Sequence, residues 1–383
     1  MNNSSISSIG SAGSPASSIL ASMKKIKDEY VIGILFVIIV VVIISLLGFY
    51  YKLYTLETST CKKFNKMYPS KNGHLTSISD NADHNHMLRD YYIKTASNCC
   101  STGDLKSGVV STCALRDVIK QGARCLDFEI YSVDEEPVVA TSTVNNYFVK
   151  EVYNKVPFQD ALGVIINYAF SSGSCPNHED PIIIHLRFKS KNKKMYEKLG
   201  SIFAAQKDHL LGPKHYFENN YTNFGDTPLQ ELKNKIVLVV SNKDKSYMET
   251  ESFAKYINIT SGSIFMREMT TTEMRNVPSM AETIQYNKKN MSIVTSDRTE
   301  LPTNPGGVAS RKMGVQCIGM SYQNQDTSFL ELDEFFNSNN SAFVLKPADL
   351  RYVQNYISAP KKQDPKLSFA TKTSHAQGLS FQM

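Results

Sequence analysis

Two carboxylates, one residue apart, close the run Gly122-Ala123-Arg124-Cys125-Leu126-Asp127-Phe128-Glu129. In an extended strand residues i and i+2 share a face, so Asp127 and Glu129 point the same way and offer a weak hint of a hard-cation site. Arg187, Lys189, Lys191, Lys193, Lys194 and Lys198 form a basic run, which reads as a solvated helix face or as a contact for anionic lipid headgroups. His84-Asn85-His86 has acid–base potential but precedes an apolar run instead of following one, so it is read as part of a stalk. His185 lies in an apolar stretch beside Arg187 and is expected as a satisfied buried histidine, turned away or into a helix layer. The seven cysteines (Cys61, Cys99, Cys100, Cys113, Cys125, Cys175 and Cys317) show no C-x-x-C spacing and an odd count; they are expected to be mostly reduced thiols.

The elements that must position these groups follow from the alternation of short apolar runs with helix-like patterns. Candidate strands are residues 91–95, 125–130, 138–140, 182–186, 236–240, 264–267, 292–295 and 317–321. Eight strands in about 265 residues suggest a (β/α)8 barrel, a TIM-type α/β fold whose chemistry sits at the C-terminal ends of the strands.

A different element precedes them. Residues 30–51 run for 22 residues without a charge and end in Phe49-Tyr50-Tyr51-Lys52. As a helix that stretch reaches about 33 Å, enough to cross a bilayer core with an aromatic belt at its end. The expected organisation is a flexible tail at 1–29, one transmembrane helix at 30–51, a polar stalk at 52–86, a barrel at 87–353 and a disordered tail at 354–383. Lys24, Lys25 and Lys27 before the span nearly balance Lys52, Lys62, Lys63 and Lys66 after it, and sequons at Asn220, Asn258, Asn290 and Asn339 do not break the tie. The 383 residues carry a net charge of +6 and a mean hydropathy of −0.27, which excludes a polytopic membrane protein and a mostly disordered chain. No arginine-rich stripe argues for a nucleic-acid partner.

The run ending at Glu129 resembles the G-C-R-C-x-E-x-D segment of eukaryotic phosphoinositide-specific phospholipase C. Other stretches are similar in the same order. Leu88 to Asn98 resembles the family's L-S-H-Y-F-I-S-S-S-H-N; Glu136-Pro137-Val138-Val139, Tyr168-Ala169-Phe170 and Pro181-Ile182-Ile183-Ile184 continue an X-like half at 87–213. Leu232-Lys233-Asn234-Lys235-Ile236, Tyr286-Asn287-Lys288-Lys289 and Phe343-Val344-Leu345-Lys346-Pro347-Ala348-Asp349-Leu350-Arg351 follow in a Y-like half at 225–353.

The resemblance implies cleavage of phosphoinositides through attack by the inositol 2-hydroxyl, assisted by two histidines and Ca²⁺. This chain departs from that pattern. Ser97 and Thr141 fall where the histidines are expected, and no histidine occurs between His86 and His178. Asn98, Asp127 and Glu129 match three metal-ligand positions, but Arg187 takes the place of a fourth carboxylate. The headgroup contacts are missing too: Ser292-Ile293-Val294-Thr295-Ser296 replaces S-R-I-Y-P, and two lysine positions fall on Val239 and Ser241. The implied reading is a degenerate active site (Ser97, Asn98, Asp127, Glu129, Thr141, Arg187) with the calcium site lost and no cofactor. The chain would then be a membrane-anchored, inactive phospholipase-C-like module. Its partners would be the bilayer through residues 30–51, anionic headgroups, and a protein the sequence does not name. The alternative is a calcium-independent phosphodiester hydrolase using Arg187.

Overall fold

The computed structural model describes residues 28–144, 149–354, 359–364 and 367–382. The tail expected at 1–29 lies outside them except for Asp28 and Glu29. Helix α1 (Asp28–Met67) is one unbroken element of 40 residues, and the apolar stretch within it is exposed among the described residues. It is long and apolar enough to cross a membrane.

Strands β1 (Tyr91–Ala96), β2 (Cys125–Val133), β5 (Ile182–Phe188), β6 (Ile236–Ser241), β7 (Ile259–Ser261), β8 (Met266–Thr270), β9 (Met291–Thr295) and β10 (Cys317–Met320) form a parallel sheet in the order β7-β6-β5-β2-β1-β10-β9-β8. The sheet curls into a nearly closed barrel. Its one unladdered seam lies between β7 and β8, where Gly262 N and Ser263 N donate to Met266 O across a tight turn. Antiparallel additions complete it: β3 (Glu136–Val139) pairs with β2 and with β4 (Val156–Pro157), while β11 (Phe343–Leu345) pairs with β1. Helices α2 (Thr112–Lys120), α3 (Phe158–Ala169), α4 (Lys193–Ala204), α5 (Met280–Lys289) and α6 (Thr327–Ser338) are the main outer elements. Four of these five begin on a capping side chain. Ser111, Asn192, Ser279 and Asp326 accept hydrogen bonds from first-turn N–H groups of α2, α4, α5 and α6, which satisfies donors the helix leaves unpaired.

The period of two along each strand sorts the core. Leu126, Phe128, Ile130, Ile184 and Leu186 face the helices in one cluster, while Cys125, Ile183, Val237, Val239, Ile259, Ile293 and Cys317 fill the barrel interior in another. The same inward faces carry Asp127 and Glu129 above Cys125, and His185 and Arg187 above Ile183. Each strand therefore passes from an apolar plug to charge as it rises toward its C-terminal end.

Three expectations change here. The apolar run at 138–140 belongs to a hairpin, and the eighth barrel strand is β7, too short to stand out as a run. The polar stalk at 52–86 is instead the end of α1 followed by a strap bound to the barrel. Phe64, Tyr68, Leu75 and Ile78 are buried, Tyr68 Oη donates to Tyr322 O at 2.8 Å, and Ile78 N donates to Asp180 Oδ1 at 2.6 Å. The tail expected as disordered carries an antiparallel hairpin, β12 (Thr373–Ala376) with β13 (Leu379–Gln382).

Candidate functional site

Arg187 stands at the centre of the barrel mouth. Its Nε donates to Asp127 Oδ1 at 2.8 Å and its Nη2 to Asp127 Oδ2 at 2.7 Å, a bidentate fork. Nη1 donates to Glu129 Oε1 at 2.7 Å, and Nη2 also reaches Asn98 Oδ1 at 3.0 Å. The register explains the meeting: β2 and β5 run parallel with Asp127 beside His185 and Glu129 beside Arg187. Asn98 arrives from the end of β1 with φ of 47°, a left-handed conformation that Asn tolerates better than most residues. There its own N–H donates to Asp127 Oδ2 at 3.1 Å, next to Ser97 Oγ at 3.2 Å.

His185 is not turned away from Arg187. Two residues apart on one strand, they share a face, and His185 Nδ1 donates to Asp127 Oδ1 at 2.8 Å while Nε2 meets Ser261 Oγ at 2.8 Å. Ser261 Oγ in turn donates to Glu268 Oε2 at 2.8 Å, where Ser241 Oγ also donates at 2.6 Å, and Lys243 Nζ lies 2.9 Å from Glu268 Oε1. Ser261, His185 and Asp127 thus have the connectivity of an acyl-transfer triad. All three are fully buried, and Ser261 spends its proton on Glu268. The chain of bonds is a structural network.

Electrostatics follow the geometry. Burial alone would raise the Asp127 carboxyl, but the Arg187 guanidinium and His185 hold it well below the usual carboxylate range. Burial would lower Arg187, yet Asp127 and Glu129 raise it. Glu268 is pushed up by burial and pulled down further by His185, Lys243 and Ser241, to about 2. Burial lowers Lys189, next along the inward face, to about 8 against the pull of Glu129.

Sequence reasoning brought together Ser97, Asn98, Asp127, Glu129 and Arg187, and these five do meet. Thr141 does not join them; its Oγ1 donates to Leu105 O at 3.0 Å. It missed Tyr131, whose Oη donates to Glu129 Oε2 at 2.9 Å, and Arg298, 2.6 Å from Glu129 Oε1. Tyr131 shares the inward face of β2 with Asp127 and Glu129, so the strand period could have found it. Arg298 comes from the segment after β9, where no local pattern points at Glu129. The basic run divides: Arg187 and Lys189 are buried, whereas Lys194 and Lys198 pair at the surface with Glu135 and Glu136.

These residues do not fit Ca²⁺. Asn98 Oδ1, both Asp127 oxygens and Glu129 Oε1 already accept from one guanidinium, and a divalent cation bound by those oxygens would meet that positive charge.

Residues 84–243 match the family model for the phosphatidylinositol-specific phospholipase C X domain. The fold is similar to two crystal structures at 17% identity each. They are L. pealei PLC21 (TM-score 0.56, 71% of this chain and 38% of that one) and S. officinalis PLC21 (TM-score 0.57, 72% and 39%). This chain thus spans under two fifths of the length of those proteins. No curated protein matches the sequence.

Proposed function

We propose a membrane-anchored phospholipase-C-like protein whose barrel does not turn over phosphoinositide, a reading supported by the match of residues 84–243 to the phosphatidylinositol-specific phospholipase C X-domain model and by the similar fold of the two PLC21 structures. Residues 30–51 are the anchor and the barrel is a binding or structural module. One observation carries the reading: Arg187 is bonded to Asp127, Glu129 and Asn98 at the barrel mouth, where the family resemblance calls for a metal. Ser97 and Thr141 supply no group that titrates near neutral pH. General acid–base groups each contribute ~10²–10⁴ to rate, so losing two of them together with the metal removes most of the means of turnover. Four of the five Arg187 N–H groups are taken by its neighbours, which leaves little for a substrate phosphate and weakens the calcium-independent alternative.

The experiment uses the full chain in detergent micelles containing phosphatidylinositol, with millimolar Ca²⁺ or with a chelator. No inositol phosphate or cyclic phosphate above buffer is expected in either condition. Calcium-dependent release abolished by Asp127→Asn would overturn the reading, and release that ignores calcium but disappears in Arg187→Lys would establish the hydrolase alternative.

A further inference from the structure

A covalent bond joins the long helix to the barrel. Cys61, near the C-terminal end of α1, is disulfide-bonded to Cys113 in the first turn of α2, across 52 residues. The expectation of mostly reduced thiols holds for five of the seven cysteines, and this pair is the exception. The other five cysteines, Cys99, Cys100, Cys125, Cys175 and Cys317, are all buried. Cys61 and Cys113, by contrast, line an open groove of about 960 Å³ between α1 and α2. The two accessible cysteines are therefore the paired ones, the distribution expected of a domain that matures where disulfides form and persist.

The charges beside the apolar stretch do not decide its orientation. Lys24, Lys25 and Lys27 lie within six residues of its start, while the ten residues after its end hold Lys52 as their one basic residue. Lys62, Lys63 and Lys66 sit farther along α1, roughly 16 Å or more beyond Tyr51 at 1.5 Å per residue. All three still fall within 15 residues of the span, so with Lys52 the count is four after it against three before it, and the inference rests on the disulfide. The sequons do not decide the matter. Asn220 and Asn339 are exposed, but Asn258 is buried, with its side chain bonded to Leu238 N and His215 O.

Building on the proposed anchoring, we infer that the barrel lies on the non-cytoplasmic side of the membrane and that Cys61–Cys113 is the strut fixing it there. Ten residues of helix separate Tyr51 from Cys61, so the disulfide holds α2 about 15 Å along the helix from the apolar stretch. Its formation is thiol–disulfide exchange with an oxidoreductase of that compartment: the two thiols lose two electrons and two protons, and the oxidoreductase's own disulfide is reduced to two thiols.

The test expresses the full chain in cells and isolates sealed microsomes. Three readings are taken: retention after an alkaline carbonate wash, trypsin digestion with and without detergent, and labelling of the denatured chain with a maleimide-polyethylene glycol. The expected result is a carbonate-resistant protein whose barrel is cut only after detergent, with five labels before reduction and seven after. In Cys61→Ser/Cys113→Ser the count should be five both ways. Digestion of the barrel in sealed vesicles would overturn the orientation while leaving the anchor intact. Seven labels without reductant, or a reductant-dependent difference persisting in the double variant, would overturn the strut. Release by carbonate would instead remove the anchoring premise, an outcome distinct from the others.

Discussion

Arg187 neutralises two carboxylates that have no access to bulk water, and its removal would leave Asp127 to His185 and Glu129 to Arg298 alone among their charged partners. Breaking a buried pair by taking away one partner costs about 3–5 kcal/mol, far more than the pair itself contributes over an apolar replacement. Arg187→Glu should therefore lower the melting temperature sharply in a chelator and recover part of the loss when Ca²⁺ is added, because three carboxylates and Asn98 then approach an oxygen-ligand set. The wild-type chain should melt at the same temperature with and without Ca²⁺; equal insensitivity of the variant would show that the position cannot be returned to a metal site by one change. Glu268 gives a second test, through pH. Burial pushes its carboxyl up, but His185, Lys243 and Ser241 bring it to about 2, below its ordinary 4.5. A lowered folded value means that the contribution is full above pH 4.5 and drains away as pH falls toward 2. Glu268→Gln should remove about 3 kcal/mol at neutral pH and flatten the fall of stability between pH 4.5 and 2. Denaturant unfolding of wild type and variant across that window measures the slope, and parallel curves would show that Glu268 is not the group responsible.

At the scale of elements, the bond between α1 and α2 closes a long loop in the unfolded chain. Loop-closure entropy for 52 residues corresponds to about 4 kcal/mol. The Cys61→Ser/Cys113→Ser protein should melt lower by that measure, and a reductant should destabilise the wild type but leave the double variant unchanged. How far such elements can be read in advance depends on whether their signal is local. Asp127 and Glu129 were legible because a strand repeats every two residues, and the same rule places His185 beside Arg187 and Tyr131 beside Glu129. The barrel was legible from its long apolar runs. Strand β7, with three residues, was not, and residues 138–140 are as apolar as a barrel strand although they turn back on β2. The Cys61–Cys113 pair left no trace in spacing, since seven cysteines have many pairings and only the folded chain selects one. Arg298 and Glu268 joined the site through the closing of the barrel, which no window of sequence contains.

For the whole molecule, the consequence lies in where the domain begins. Composition marks residues 52–86 as a polar spacer that could be cut away, because Lys, Ser, Asn and His dominate and the apolar residues are scattered. Packing assigns them otherwise: Phe64, Tyr68, Leu75 and Ile78 are all buried, and Asn72 N donates to Lys120 O at 2.9 Å while its Nδ2 donates to Asn337 Oδ1 at 2.8 Å. Burying each of those four apolar side chains contributes about 1.5–3 kcal/mol, or roughly 6–12 kcal/mol together. That is comparable with the entire stability of an ordinary domain, about 5–15 kcal/mol. A fragment of residues 52–354, which removes the apolar stretch and the two tails, should be soluble and melt cooperatively, whereas residues 87–354 should aggregate or unfold near room temperature even though every barrel strand is present. Circular dichroism melts of the two fragments decide it. Equal melting temperatures would mean that the strap lies on the barrel without supporting it, and a polar stalk would again describe residues 52–86.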